Sequence, residues 1–247
     1  KKGKAYPCFC TEEDMQALRE RQESEKVTPG YYGEYVRCRN LTLEQIKEKI
    51  NSGMPYVLRF LSEGSPDNKI KFTDLVKGAI EVTENHIDHV LLKSDGMPTY
   101  HMAHAVDDHL MRTTHVVRGE EWLSSLPYHI QLFAALGFKL PKYLHISQLM
   151  RKDGEAKKKL SKRDKGAGMS YYISEGYPAE SVLEYVMTLL NSNFEDWRRA
   201  NPNGELNDFP FSIKKMSASG SLFDLIKLGD VSKNVISRMS ADKVYEK

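Results

Sequence analysis

The segment PTYHMAHAVDDHLM, residues 98–111, decides the predicted fold, because it is typical of an amphipathic helix that begins beside a proline. It is followed by HVVR at 115–118, which predicts a strand, by a predicted helix over 120–137, and by LHISQL at 144–149, which alternates as a second strand. Helix, strand, helix and strand of these lengths predict half of a doubly wound α/β fold. The apolar side chains of the first helix predict a buried stripe of Met102, Val106 and Leu110.

Ligands of doubly wound folds bind beyond the carboxyl ends of the strands, and Arg118 lies at such an end. Neither GxGxxG nor GxxxxGK[ST] occurs in the sequence, which argues against the usual dinucleotide and P-loop modes of binding. If a nucleotide binds here, we therefore expect much of the phosphate binding to come from cationic side chains elsewhere in the chain.

Those cations are concentrated in KKKLSKRDK, residues 157–165, where six of the nine residues are basic and Asp164 is the single acid. Gly154, Gly166 and Gly168 flank this run, so we expect a mobile loop. Such a loop can close over a polyphosphate and stabilise the charge that develops when a phosphate bond breaks. The composition alone also fits a solvated surface loop or a nonspecific nucleic-acid patch.

Residues 1–93 are predicted to form a mixed α+β module. Thr11 is a suitable N-cap for a helix over EEDMQALRERQESEK, and Asn40 precedes a second helix, LTLEQIKEKI at 41–50. The second helix has one apolar side, formed by Leu43, Ile46 and Ile50. Short strands are predicted at 56–61, 70–72, 79–82 and 87–92.

The three cysteines, Cys8, Cys10 and Cys38, are too few and odd in number for a disulfide framework, and they fit a reducing cytoplasm. Cys8-x-Cys10 with Cys38 resembles three of the four ligands of a zinc site. Position 40 is Asn, which zinc rarely uses. The nearby tyrosines would be unusual substitutes: Tyr31, Tyr32 and Tyr35. We therefore expect buried structural cysteines, with zinc as the alternative.

The last part of the chain, from residue 169, is predicted to be mostly helical. One helix is expected over PAESVLEYVMTLLN from Pro178, and another over Asp230 to Arg238. The first of these has an apolar side of Val182, Tyr185, Val186 and Leu189. Over the whole chain, 36 Lys and Arg balance 34 Asp and Glu, so net charge alone does not indicate a nucleic-acid partner. No apolar run is long enough to span a bilayer, and we expect no membrane partner.

The run VLLKSDGMPTYHMAHAVDDHLMRTTHVVRGEEW, residues 90–122, followed by KLSKR at 159–163, resembles the glutamyl-tRNA synthetases, which are class I aminoacyl-tRNA synthetases. GKAYPCFCT at 3–11, FDLIKL at 223–228 and SKNVISRMSA at 232–241 resemble the same family, so the likeness covers essentially the whole chain. KLSKR stands where the family has its KMSKS loop.

The resemblance implies three parts. Residues 94–150 correspond to the second half of a Rossmann-like catalytic domain. They are preceded by a connective acceptor-binding module at 1–93. They are followed, at 151–247, by the KLSKR loop and a mostly helical domain that contacts the tRNA stem.

The resemblance also implies roles for single residues. Contacts with glutamate are implied for Tyr100, His104 and Arg118, where His104 replaces the Asn of relatives. Contacts with ATP are implied for Glu121, Trp122, Lys159 and Lys162. The catalytic phosphate loop would comprise Lys159, Ser161 and Lys162, with Lys162 as the main stabiliser of the leaving pyrophosphate.

The implied activity is ATP-dependent attachment of L-glutamate to tRNA(Glu) through a glutamyl-adenylate, with Mg²⁺ accompanying ATP and tRNA(Gln) as a second candidate substrate. One alternative is a paralogue that attaches glutamate to queuosine in tRNA(Asp), and another is a non-catalytic tRNA-binding module. No HIGH-type sequence occurs in these residues, and we expect the chain to be an internal fragment that lacks the HIGH-bearing half and the anticodon-binding region of the family. We therefore expect these 247 residues alone to form no glutamyl-adenylate at a useful rate.

Overall fold

The computed structural model describes residues 3–161 and 163–245. The chain divides into two compact units. Unit 1 lies within Lys1–Phe72, Ala79–Val116 and Leu123–Lys142. Unit 2 lies within Thr73–Gly78, Val117–Trp122 and Tyr143–Lys247.

The described residues form both helices and strands. The α-helices are α1 (Glu12–Ser24), α2 (Leu43–Asn51), α3 (Tyr100–Leu110), α4 (Leu126–Leu136), α5 (Met169–Ser174), α6 (Ala179–Leu190), α7 (Phe194–Ala200), α8 (Leu225–Ser237) and α9 (Ala241–Tyr245). The strands are β1 (Ala5–Cys8), β2 (Val57–Phe60), β3 (Lys69–Asp74), β4 (Gly78–Thr83), β5 (Val90–Leu92), β6 (His115–Gly119), β7 (Lys142–Ile146), β8 (Leu149–Asp153), β9 (Ala156–Lys159) and β10 (Ser221–Leu222). In the described part of the chain, no helix combines the length and the apolar character needed to cross a bilayer.

The first two helices begin at capping boxes, in which the N-cap side chain and the third helical residue bond each other's backbone. Thr11 caps α1 as predicted. Thr42 caps α2, so the prediction of Asn40 as the preceding residue was wrong by two positions. The apolar side of α2 is not buried either, because Leu43 remains 60% exposed and Ile50 41% exposed.

The core of unit 1 forms where the antiparallel sheet β1-β2-β5 packs with α3 and α4. Its buried members are Phe60, Leu91, Ala105, Tyr128, Leu132 and Phe133. The predicted stripe of α3 was partly wrong. Met102 packs against this core, but Ala105 is the fully buried residue of the helix and Leu110 is 71% exposed.

The predicted strand at 144–149 is divided into β7 and β8, so the prediction of one continuous strand was wrong. Ser147 and Gln148 lie between these strands and form hydrogen bonds with side chains. The Ser147 hydroxyl accepts a hydrogen bond from Lys77 Nζ at 3.0 Å, and the Gln148 amide donates to Glu120 Oε1 at 3.3 Å. Glu120 itself begins a 3₁₀ helix, Glu120–Ser125, and the α-helical geometry expected there begins only at Leu126.

The cationic run begins as a strand and not as the loop that its flanking glycines predicted. Lys157, Lys158 and Lys159 belong to β9, which pairs antiparallel with β8. Gly154 turns the chain between the two strands with a φ of 63°, in the left-handed region that glycine adopts without strain. Strand β10 pairs parallel to the other edge of β8.

The helical part of unit 2 is organised around Tyr185, which is fully buried with Tyr172 and Leu228. Its hydroxyl accepts a hydrogen bond from the Asp224 amide at 2.6 Å. Val186, which was predicted on the buried side of α6, is 43% exposed.

Helix α8 begins at Leu225, five residues before the predicted start at Asp230, because Asp224 caps it through the amides of Ile226 and Lys227. We expect Asp224→Ala to reduce the free energy of unfolding by about 1 kcal/mol, since it removes this acceptor. Urea titration followed by circular dichroism measures the loss. Asp230→Ala, an exposed acid inside the same helix, is the matched control and should change stability by less than about 0.5 kcal/mol. Equal losses in the two variants would contradict the capping role.

Candidate functional site

Arg118 lies near the end of β6 and is buried, with 9% of its surface exposed. Its Nε donates a hydrogen bond to His145 Nε2 at 2.9 Å, and its guanidinium lies 4.6 Å from the centre of the Tyr143 ring. Tyr143 and His145 are two residues apart on β7, so both side chains leave the same face of that strand. The guanidinium is therefore held on two sides by one strand.

Asp74 fixes the imidazole that holds Arg118. Its carboxylate accepts hydrogen bonds from His145 Nδ1 at 2.7 Å and from the amides of Val76, Lys77 and His145. Since an arginine Nε only donates, His145 must present a bare Nε2 to Arg118 and carry its proton on Nδ1, which faces the carboxylate. The tautomer of His145 is thus set from both sides.

The pKa values of His145 and Asp74 agree with this tautomer of His145. Burial lowers the pKa of His145 below its ordinary value, so the ring is neutral at neutral pH. Burial opposes ionisation of Asp74, but the hydrogen bonds from the Lys77 amide and the His145 side chain outweigh it and hold the pKa of Asp74 below its usual range. The result is a fixed, buried cation beside a neutral ring and a charged carboxylate. One terminal nitrogen, Nη2, donates to the Trp122 carbonyl at 3.5 Å. A guanidinium oriented in this way is of the type that binds carboxylates.

Glu121 and Trp122 lie in the turn that follows Arg118. The Glu121 carboxylate accepts from Gln148 Nε2 at 3.1 Å and lies over Gly119, where a Cβ would be 2.1 Å from Oε2. Hydrogen bonds from its own amide and from Gln148 lower the pKa of Glu121, and the charge of Lys159 acts in the same direction.

Asp164, which directly follows KLSKR, bonds to a residue of that segment and to β8. The Asp164 carboxylate accepts from the Ser161 amide at 2.6 Å and pairs with Arg151 Nε at 3.2 Å. These contacts link Ser161 and Asp164 to Arg151 of β8. Lys162 lies outside the described residues.

Tyr100 and His104 belong to unit 1, on successive turns of α3. Their rings are parallel, with centres 6.1 Å apart, and Tyr100 is 52% exposed. His104 is nearly buried and its Nδ1 lies 2.7 Å from Asp108 Oδ2, an i, i+4 pair on the same helix. Asp108 therefore orients the imidazole of His104.

The predicted site residues thus fall into two groups. Unit 1 holds Tyr100 and His104, and unit 2 holds Arg118, Glu121, Trp122, Lys159 and Ser161. Sequence reasoning missed Asp74, Tyr143 and His145, which hold Arg118. The alternation of LHISQL could have placed His145 on a particular face, but nothing in the sequence links it to Asp74, 71 positions earlier.

The three thiols of unit 1 form one cluster, in which the sulfur atoms of Cys8, Cys10 and Cys38 all lie within 4.8 Å of one another. All three cysteines are free. Tyr31 Oη lies 3.4 Å from Cys10 Sγ and accepts hydrogen bonds from the backbone amides of Arg37 and Cys38. Hydrogen bonds from Cys10 and Cys38 lower the pKa of the Cys8 thiol, which favours a thiolate. Three convergent soft donors, with one thiolate already favoured, fit three of the four ligand positions of a tetrahedral zinc ion.

Comparison with known proteins gives one consistent result. A model of the family described as tRNA synthetases class I (E and Q), catalytic domain, matches residues 1–220. A glutamate–tRNA ligase of Clostridium beijerinckii is 53% identical over 246 residues, which cover 99% of this chain and 44% of the relative. One from Acetivibrio thermocellus is 53% identical over 245 residues, 99% of this chain and 45% of the relative.

Two solved structures are also similar. A glutamate tRNA ligase from Elizabethkingia meningosepticum, in complex with its amino acid, matches with a TM-score of 0.81 and 30% identity over 98% of this chain and 51% of that chain. The glutamate–tRNA synthetase of Elizabethkingia anophelis matches with a TM-score of 0.83 and 29% identity over 98% and 52%. The α/β fold class that the sequence predicted is confirmed. The chain spans about half the length of the relatives that it matches.

The buried acceptor Asp74 gives a direct test of this arrangement. We expect Asp74→Asn to reduce the free energy of unfolding by about 2 kcal/mol at neutral pH, because hydrogen bonds to a charged acceptor are lost in a buried place. Since the pKa of Asp74 is lowered on folding, its contribution is complete above about pH 4 and is lost as the pH falls further. The difference between wild type and variant, measured by urea unfolding, should therefore shrink in acid.

Asp95→Asn is the matched control, since Asp95 is exposed and accepts one hydrogen bond, from the Met97 amide. It should change stability by less than about 0.5 kcal/mol. A loss from Asp74→Asn that is independent of pH would contradict the role given to its charge.

Proposed function

This chain belongs to the family of class I tRNA synthetases for glutamate and glutamine, through their catalytic domain, and from that premise we propose that the protein attaches L-glutamate to tRNA with consumption of ATP. The observation that carries the proposal is the fixed guanidinium of Arg118, bonded through Nε to a neutral His145 that Asp74 orients. The amino acid of this reaction has two carboxylates, and a preoriented guanidinium is the side chain that best recognises one.

The reaction has two steps. A carboxylate oxygen of glutamate attacks the α-phosphate of ATP, which gives a glutamyl-adenylate and releases pyrophosphate with its Mg²⁺. A ribose hydroxyl at the 3′ end of the tRNA then attacks the acyl carbon and releases AMP. In such reactions the protein mainly positions the reactants and stabilises the charge that moves to the leaving group.

Arg118 would bind a carboxylate of glutamate, and Tyr100 and His104 are proposed as further contacts with this amino acid. Asp108 orients the His104 ring through Nδ1, so His104 would meet a ligand through Nε2. An Asn at this position, as the resemblance describes for relatives, would offer an amide in place of that ring nitrogen.

The phosphate loop would comprise Lys159, Ser161 and Lys162. We assign Lys162 to the leaving pyrophosphate, and Lys159 with Glu121 and Trp122 to the bound ATP. The lowered pKa of Glu121 and the nearby charge of Lys159 support a common place for these groups. An ammonium that meets the pyrophosphate mainly as its charge develops would accelerate the first step without tightening glutamate binding.

The three parts of the chain have different proposed roles. Residues 1–93 would contact its acceptor end, residues 94–150 would complete the catalytic domain, and residues 151–247 would carry the phosphate loop and contact the stem. tRNA(Glu) is the proposed substrate, with tRNA(Gln) as a second candidate, and the free thiols fit a cytoplasmic enzyme. We favour this function over the queuosine-modifying paralogue and the non-catalytic module, because KLSKR and FDLIKL both occur in the sequence.

We also propose that the cluster of Cys8, Cys10 and Cys38 holds one zinc ion in unit 1. Three thiolates would bind the metal and tie β1 to the segment around Cys38. Tyr31 would support the site by donating its O–H to Cys10, since its oxygen already accepts two amides. The ion would then have a structural role, because its ligands are largely buried.

Two variants of the intact protein separate the proposed roles in the first step. Arg118→Ala should raise the KM for glutamate by about 100-fold or more and change the KM for ATP little, because it removes a paired charge contact. Lys162→Ala should lower kcat of pyrophosphate exchange by about 100-fold or more with a nearly constant KM for glutamate. Exchange of labelled pyrophosphate into ATP, with tRNA present, measures both.

Arg19→Ala, which removes an exposed cation from α1, is the matched control and should retain wild-type kinetics. Equal losses for glutamate and ATP in Arg118→Ala would indicate misfolding and contradict its specific role. Near-normal turnover in Lys162→Ala would sink the assignment of that lysine.

For the metal, we expect about one zinc ion per chain in freshly purified protein and far less than one in Cys38→Ser. A chelator should lower the melting temperature of the wild type but not that of Cys38→Ser. Tyr31→Phe keeps the three thiols, so it should retain zinc and lose it more readily to the chelator. Wild-type protein without stoichiometric zinc would reject the site.

A further inference from the structure

A basic cavity lies on unit 1, between the loop that follows α3 and the segment that leads into β7. Its volume is about 520 Å³, which is within the range of small-molecule sites. The basic side chains in its wall are His109, Arg112, His115, Lys139 and Lys142. None of these residues belongs to the groups assigned above to glutamate, ATP or zinc.

Three of these side chains, those of Arg112, Lys139 and Lys142, are permanent cations. Within residues 3–161 and 163–245, no carboxylate forms an ion pair with Arg112, Lys139 or Lys142. The acid in the wall, Asp108, is engaged with His104 at 2.7 Å. Positive charges that converge on a concave surface without compensation raise the local concentration of anions.

The walls of the cavity are held in place by local contacts. The His109 ring lies flat on Phe138, with ring centres 3.7 Å apart, and His115 Nδ1 lies 2.9 Å from Thr114 Oγ1. Arg112 has a φ of 56°, in the left-handed region, which costs a residue with a Cβ some backbone strain. Its amide donates to the His109 carbonyl at 3.2 Å, which closes the turn.

We propose that this cavity binds a small polyphosphate, a ligand with two or more adjacent phosphate groups such as the phosphate chain of a free nucleotide. Three permanent positive charges, with two imidazoles whose ring nitrogens can form hydrogen bonds, match an anion of several negative charges. The cations come from two short segments, 109–115 and 139–142, which line the same cavity. An extended RNA strand would instead require a basic stripe along its path.

The test uses the intact protein and inorganic tripolyphosphate as the probe. The reporters are the Cε1–H NMR signals of His109 and His115, which His109→Gln and His115→Gln assign. At constant pH, we expect both signals to shift saturably as tripolyphosphate is added, because the anion would bind beside both rings. Sodium chloride of equal ionic strength should not produce this movement. These signals distinguish the cavity from phosphate binding at the KLSKR segment.

The double variant Lys139→Gln and Lys142→Gln should weaken tripolyphosphate binding at these reporters by about tenfold or more. Both lysines are exposed, so the fold should be unaffected. Lys47→Gln with Lys69→Gln removes two exposed lysines elsewhere on unit 1 and is the matched control, with unchanged affinity.

Histidine signals that do not respond to tripolyphosphate, or that respond with equal affinity in the Lys139 and Lys142 double variant, overturn the proposal. A response to a short single-stranded RNA without one to tripolyphosphate also overturns it and assigns the cavity to RNA. Loss of pyrophosphate exchange in Lys162→Ala with an intact histidine response would leave the cavity proposal supported, because the two sites share no residue.

Discussion

A buried chain of three polar side chains, from Asp74 through His145 to Arg118, is the constraint on which the candidate site of unit 2 depends. A guanidinium removed from water is stable only if its donors are bonded. His145 supplies an acceptor and Tyr143 supplies an aromatic face, while Asp74 fixes the ring that does the bonding. These three side chains link the end of β3 to β6 and β7, so the position of Arg118 depends on the geometry of all three strands.

The pKa values of two buried carboxylates of this protein shift in opposite directions. The hydrogen bonds that each carboxylate accepts account for the difference. Asp74 accepts bonds from three amides and an imidazole, and its pKa is lowered despite burial. Asp88 accepts from Tyr6, the Ser62 amide and Arg39, yet burial raises its pKa. Asp74 thus stays ionised beside Arg118, where a negative charge is needed to hold the imidazole.

The cations of the chain serve two different purposes. Some are bonded into the structure, such as Lys77, which reaches Glu120 at 2.5 Å and the Ala218 carbonyl at 2.6 Å, and Arg238, which pairs with Glu184 at 2.8 Å. The lysines of β9 are exposed along a strand, and those of the basic cavity line a wall whose acid, Asp108, pairs with His104. Charge used for structure is neutralised internally, whereas the proposed binding roles of the other cations would rest on attraction of an anion.

The sequence by itself determined the alternation of helices and strands, the capping of α1 by Thr11, the helical tail and the family resemblance. Periodicity, caps and motif order are local properties, so they can be read along the chain. It also identified the KLSKR motif, although it predicted a loop for residues that belong partly to β9.

Only the tertiary structure decided which polar groups meet. Asp74 and His145 are 71 positions apart, and no local pattern connects them. The convergence of Cys38 with Cys8 and Cys10, the interruption of the predicted strand at Ser147, and the exposure of Leu110 were decided in the same way. Burial and hydrogen bonding depend on what lies across the fold, and a spacing of residues along the chain does not contain that information.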